Sequence, residues 1–180
     1  MSPKLTLAAL AVSALAAAIA ASSEAQQPPA AAPYALDDVP EKMPFDVPYG
    51  APIGLERAQA AIAAAAAEAR KHDWKLNVAV VDSGGNLVAF ARMDGAQLAS
   101  IQIAEHKARA SAGFRRETKA IENGIQQNGA TYLMTLDGII GSRGGIPLIE
   151  GGKLIGAIGC SGGTGSQDEV ACKAGAATVK

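Results

Sequence analysis

Seven of the nine prolines fall at 28, 29, 33, 40, 44, 48 and 52, and that clustering decides where a fold can form. Proline has no amide hydrogen to donate and fixes its own φ, so neither a helix nor a central strand runs through such a stretch. Residues 26–52 therefore read as a proline- and alanine-rich linker or arm, extended and laid on the domain through Tyr34, Phe45 and Tyr49. Upstream, Lys4, an apolar run from Leu5 to Ala21 and the ending Ser23-Glu24-Ala25 have the order of a cleavable signal peptide, residues 1–25. The run is too short and too alanine-rich for a membrane span. No integral span is expected after cleavage, and the expected location is periplasmic or secreted.

The stretch from Ile53 to Lys180 is long enough for one ordinary domain and too short for two. The formal charge is -1, and removing Lys4 and Glu24 with the leader leaves it unchanged. Phosphate binding needs a clustered positive field, so nucleic acid is excluded as an expected partner.

Leu55, Ala58, Ile62, Ala66 and Ala69 recur at helical spacing and predict an amphipathic helix that ends near His72-Asp73. Leu76–Val81 and Leu87–Ala91 predict two strands of a hairpin. Asp94 and Gln97 have capping-box spacing and predict a helix over 95–114; a shorter one follows over 118–127 and stops at Asn128-Gly129. Ile146–Ile149 and Leu154–Ile158 predict a second hairpin, turned by Gly151-Gly152 with Glu150 facing Lys153. Ser166 to Glu169 predicts a capping box that opens the last helix. Helices alternating with hairpins imply an α+β domain with helices packed on an antiparallel sheet.

Chemistry is sparser. The glycines between 138 and 165 match neither a Gly-Lys-Ser/Thr nor a G-x-G-x-x-G pattern, which excludes a nucleotide-binding loop. The amides of Gly163 to Gln167, at a helix start, are candidates to receive a ligand carboxylate. His72 reads as a helix-end residue; neither it nor His106 has a partner at zinc spacing. Gln102, His106 and Arg109 share one face of the predicted helix, beside a stripe of Ile103, Lys107 and Phe114. Either this is an ordinary polar surface or it is a pocket wall that carries an imidazole, cations and an aromatic ring. No catalytic group is assigned, because the serines lack a strand-to-helix elbow and neither cysteine has a local base. Cys160 and Cys172 either join in a disulfide or stay separate buried thiols.

Three segments, VAVVDSGGNLVAFARMDGA (78–96), ASIQIAEHKARASAGFRRET (99–118) and GGIPLIEGGKLIGAIGCSGGTGSQDEVACKAG (144–175), resemble the GlcG/HbpS-like haem-binding family. That family also supplies the C-terminal domain of cobalamin-related PduO proteins. The resemblance runs from Leu55 onward and implies a single domain with a five-stranded antiparallel sheet flanked by α-helices, homo-oligomeric assembly, and binding of haem or a related tetrapyrrole. In some members it implies haem breakdown. Where the family often has Lys-Ala-Tyr/Phe-Thr, this chain has Lys107-Ala108-Arg109-Ala110, without the Thr associated with haem iron in one branch; Glu117 replaces a usual proline. The joint appearance of Cys160 and Cys172, where Val and Ala are expected, favours their pairing.

The resulting expectation is an exported haem-binding protein contributing to haem sequestration or breakdown. In it Lys107, Arg109 and Arg116 meet the propionates, Phe114 supplies a ring, and His106 ligates the haem iron. The alternatives are a binder or enzyme for a small organic acid without haem, and a subunit that binds only other proteins.

Overall fold

A computed structural model describes residues 39–43 and 45–179, so the signal peptide of residues 1–25 and the first part of the arm lie outside the described residues. The elements run α1 (Leu55–Lys71), β1 (Asn77–Asp82), β2 (Leu87–Arg92), α2 (Ser100–Phe114), α3 (Thr118–Gln126), a 3-10 turn (Thr131–Thr135), β3 (Gly145–Glu150), β4 (Lys153–Ser161) and α4 (Gly165–Ala176).

Among the described residues the sheet has four antiparallel strands in the order β2-β1-β4-β3, not the expected five. The sequence holds four apolar strand runs, and the arm does not supply another. The last rung between β1 and β4 joins Asp82 to Gly156, and the arm lies along β4 just beyond it. There Leu154 N–H donates to the Pro48 carbonyl at 2.8 Å, and Gly50 N–H donates to the Leu154 carbonyl at 2.7 Å. Only one parallel bridge forms, Tyr49 to Leu154. Pro48 and Pro52 have no N–H to extend it into a ladder.

Strand alternation sends side chains to two apolar layers. Val78, Val80, Ile158 and Cys160 pack with the alanines of α1 and with Ala171 and Cys172 of α4. Ala79, Val81 and Ala157 pack with Ala104, Ala108 and Ala112 of α2 on the other face. Cys160 and Cys172 are bonded, Cα to Cα 5.6 Å, which ties α4 to the central strand.

Both hairpins form where local chemistry predicts them. Gly151 (φ 54) and Gly152 (φ 75) turn β3 into β4 in the left-handed region that glycine tolerates. Glu150 is the register partner of Lys153, yet its carboxylate pairs with Arg57 of α1 at 2.6 Å. Both caps differ from expectation. Asp94 caps nothing: α2 starts at Ser100 after an uncapped Ala99, and the Gln97 amide donates to Ser100 Oγ at 2.7 Å. The last helix is capped by Thr164, whose capping box with Gln167 precedes the expected one.

Candidate functional site

Helix α2 positions the site, and two glycines position α2. Gly145 and Gly159 are cross-strand partners, and a Cβ on either would run into α2's own backbone, at the Lys107 and Ala104 carbonyls respectively. The helix therefore lies directly on the sheet. Ser100, Ala104, Lys107, Ala108 and Ser111 turn inward, while Gln102, Arg109 and Gly113 stay exposed and His106 is half-buried.

The outward face borders an open cleft of about 480 Å³ lined by Tyr49, Ser83, Gly84, Gly85, Arg109 and Gly113. Each wall has its own origin. The β1–β2 turn is shaped by the Asp82 carboxylate, which accepts from Gly84 N–H at 2.8 Å and Asn86 N–H at 2.9 Å. Burial works to raise the pKa of this carboxyl, but the donors from Asn86 and Gly84 prevail and hold it below its ordinary value. Tyr49, from the arm, donates its hydroxyl to the Gly113 carbonyl at 3.0 Å. Arg109 reaches in from α2, held by Glu105 one turn earlier at 2.7 Å. Side chains at Gly85 and Gly113 would meet nothing within 4 Å, so bare backbone faces open space on two sides.

The five residues singled out from sequence separate into three places. Arg109 lines the cleft, and His106 sits nearly one turn before it on the same helix, outside the lining. Lys107 is 1% exposed, and its ammonium pairs with Asp168 of α4 at 2.7 Å, outside the cleft lining. Phe114 and Arg116 lie at the end of α2, where the Arg116 guanidinium sits 3.1 Å from the centroid of Phe45 in the arm and its Nε donates to the Phe114 carbonyl at 3.0 Å. Burial lowers the Arg116 pKa.

The amides at the start of α4 are also engaged. Gly163 N–H donates to Asp168 Oδ1 at 3.0 Å, and Thr164 N–H donates to Gln167 Oε1 at 2.8 Å. They do not form the open carboxylate site expected from sequence. Beside them the Glu169 carboxylate gathers Lys173 at 2.6 Å, Lys119 at 3.1 Å and Arg143 at 3.5 Å. Residues the sequence reading missed are Gly84, Gly85 and Gly113 as walls, and Tyr49 as a site residue rather than only an anchor of the arm. No group of three metal-ligating side chains occurs among the described residues.

Set beside known proteins, the chain matches the family described as "Haem degrading protein HbpS-like" over residues 53–177. Protein GlcG of Escherichia coli (strain K12) is 42% identical over 109 residues, 61% of this chain and 81% of GlcG. The crystal structure of a double mutant of HbpS from Streptomyces reticuli superposes with a TM-score of 0.68 at 31% identity, covering 84% of this chain and 99% of that one. A PduOC:haem complex superposes with a TM-score of 0.65 at 23% identity, over 72% of this chain and 96% of that one, a likeness of fold alone. With the family pattern running through every helix and strand described above, this chain belongs to the HbpS-like family.

Proposed function

We propose that this protein is an exported haem-binding protein that holds the group at the outward face of α2. The observation that carries the reading is the cleft itself, with bare glycine backbone at 85 and 113, an aromatic ring at Tyr49 and a cation at Arg109. These residues fit a flat, carboxylate-bearing guest: glycine admits close approach to backbone, and a guanidinium pairs with a propionate. Arg109 would hold a propionate by exchanging its bond to Glu105, and His106 is the imidazole nearest along the helix. When bound, haem supplies a redox-active iron whose potential follows its axial ligand and surroundings.

Export rests on residues 1–25 and is supported by the Cys160–Cys172 bond, which persists in oxidising compartments. Exposed Tyr132, Met134 and Leu136 support self-association of the domain.

Haemin titration followed at the Soret band tests the reading. Wild type should saturate at one equivalent per chain, Arg109→Glu should bind about tenfold more weakly, and His106→Ala should shift the bound spectrum. An unchanged spectrum in His106→Ala removes the ligand assignment. If haemin leaves thermal stability unaltered while small organic acids raise it, the haem-free alternative takes its place.

A further inference from the structure

The arm is fastened to the domain at a series of points beside the cleft. Leu154 of β4 donates its N–H to the Pro48 carbonyl of the arm and accepts from Gly50 N–H, and Arg115 Nη1 donates to the Val47 carbonyl at 3.0 Å. The Arg115 guanidinium also stands 5.5 Å from the Tyr49 ring centroid, and Arg116 covers Phe45. Arg115 has φ 53, a left-handed helix end usually given to glycine. A non-glycine residue is strained there, and the strain persists where surrounding structure demands that side chain. Here the side chain's contacts are with the arm. The two adjacent arginines thus act as a clamp, and the held segment brings Tyr49 into the cleft lining.

We propose that residues 45–50 form a fixed wall of the ligand cleft and that the Tyr49 ring is the surface against which a flat aromatic guest stacks. This rests on the haem reading above and deepens it: the arm, not the folded domain alone, determines the shape of ligand accepted. Arg109 recognises a carboxylate of any shape, whereas an aromatic ring favours a planar partner by offset stacking. The Tyr49 hydroxyl serves the wall by anchoring it to Gly113, while the ring serves the guest.

Iron-free protoporphyrin IX and citrate, titrated against the full-length protein, test this. Wild type should bind protoporphyrin with a red-shifted Soret band. Tyr49→Phe, which keeps the ring, should bind within about twofold of wild type. Tyr49→Leu, which keeps bulk in the arm, should bind about tenfold more weakly, near the 1.4 kcal/mol expected for a lost stacking surface. Its citrate affinity, carried by Arg109, should match wild type, a split that a merely loosened fold would not produce. Equal protoporphyrin affinity and spectrum in Tyr49→Leu and wild type overturn the inference and leave the haem reading standing. No protoporphyrin binding by wild type that still binds haemin overturns the inference alone, and failure of wild type to bind haemin overturns both.

Discussion

The ammonium of Lys107 and the carboxylate of Asp168, 2.7 Å apart and shut off from solvent, join helices that lie on opposite faces of the sheet. The contact passes the end of β3, where Gly144 leaves room for both side chains. Removing one partner strands the other charge in the interior, so Lys107→Met should cost about 3–5 kcal/mol. The double variant Lys107→Met, Asp168→Leu should recover much of that loss, because two apolar side chains leave no uncompensated charge. Urea unfolding of the wild type, the two single variants and the double variant gives the coupling directly. Additive losses would show that the pair is not a unit.

Two adjacent carboxylates in α4 should push stability in opposite directions as pH falls. Glu169 is buried, which works to raise its pKa, but hydrogen bonds from Lys173 and Lys119 prevail and hold it below the ordinary 4.5. Its contribution is present above 4.5 and lost as the pH drops through the folded value. For Asp168, burial outweighs the pull of Lys107 and the amides and lifts the carboxyl above the ordinary 3.8. The folded protein then holds that proton more tightly than the unfolded chain. This contribution is full below 3.8 and lost as pH rises through the folded value. In stability curves from pH 3 to 7, Glu169→Gln should lose about 2 kcal/mol at neutrality and flatten the acid decline. Asp168→Asn should steepen that decline, and parallel curves for all three proteins would contradict the assignment.

The same two residues show what the sequence made legible. Thr164-x-x-Gln167 and Ser166-x-x-Glu169 both have capping-box spacing, and local propensity does not choose between them. The choice is made at a distance: capping at Thr164 leaves Asp168 free to meet Lys107 and Glu169 free to meet Lys119, 61 and 50 residues away in sequence. Lys107 was misplaced for the same reason, since a buried lysine is recognisable only when its partner is known. The hairpin turn at Gly151-Gly152 was readable because its cause is local. Of the cleft, Arg109 was readable from helical spacing. The Tyr49 wall was not, because an extended proline-rich arm has no periodicity to betray which side chain faces inward.

The bond between Cys160 and Cys172 closes a loop with a sequence separation of 12 and pins α4 to β4. On the chain-entropy estimate such a loop contributes about 3 kcal/mol by restricting the unfolded chain. Reduction, or the double variant Cys160→Ala, Cys172→Ala, should lower unfolding stability by about 2–3 kcal/mol. Mass spectrometry of thiol-blocked protein from its native compartment should find neither cysteine labelled. Labelling of both would show that the cell keeps α4 unbonded.

Two glycines of one helix-sheet layer should respond in opposite ways to the same added methyl group. At Gly159 a Cβ would run into the Ala104 carbonyl and come within 2.6 Å of the Ala108 amide nitrogen, both of them backbone atoms that cannot rotate aside. Gly159→Ala should therefore lift α2 from the sheet and cost about 3 kcal/mol or more. At Gly113, inside α2, a Cβ meets nothing within 4 Å, and alanine is the better helix former. Gly113→Ala should stabilise the unliganded protein by about 0.5–1 kcal/mol. That open space is also the cleft, so the added methyl should weaken haemin binding by about fivefold, or 1 kcal/mol. Thermal unfolding without ligand and a haemin titration measure the two effects separately. A Gly113→Ala protein that is both more stable and binds haemin undiminished would move the ligand site away from this end of α2.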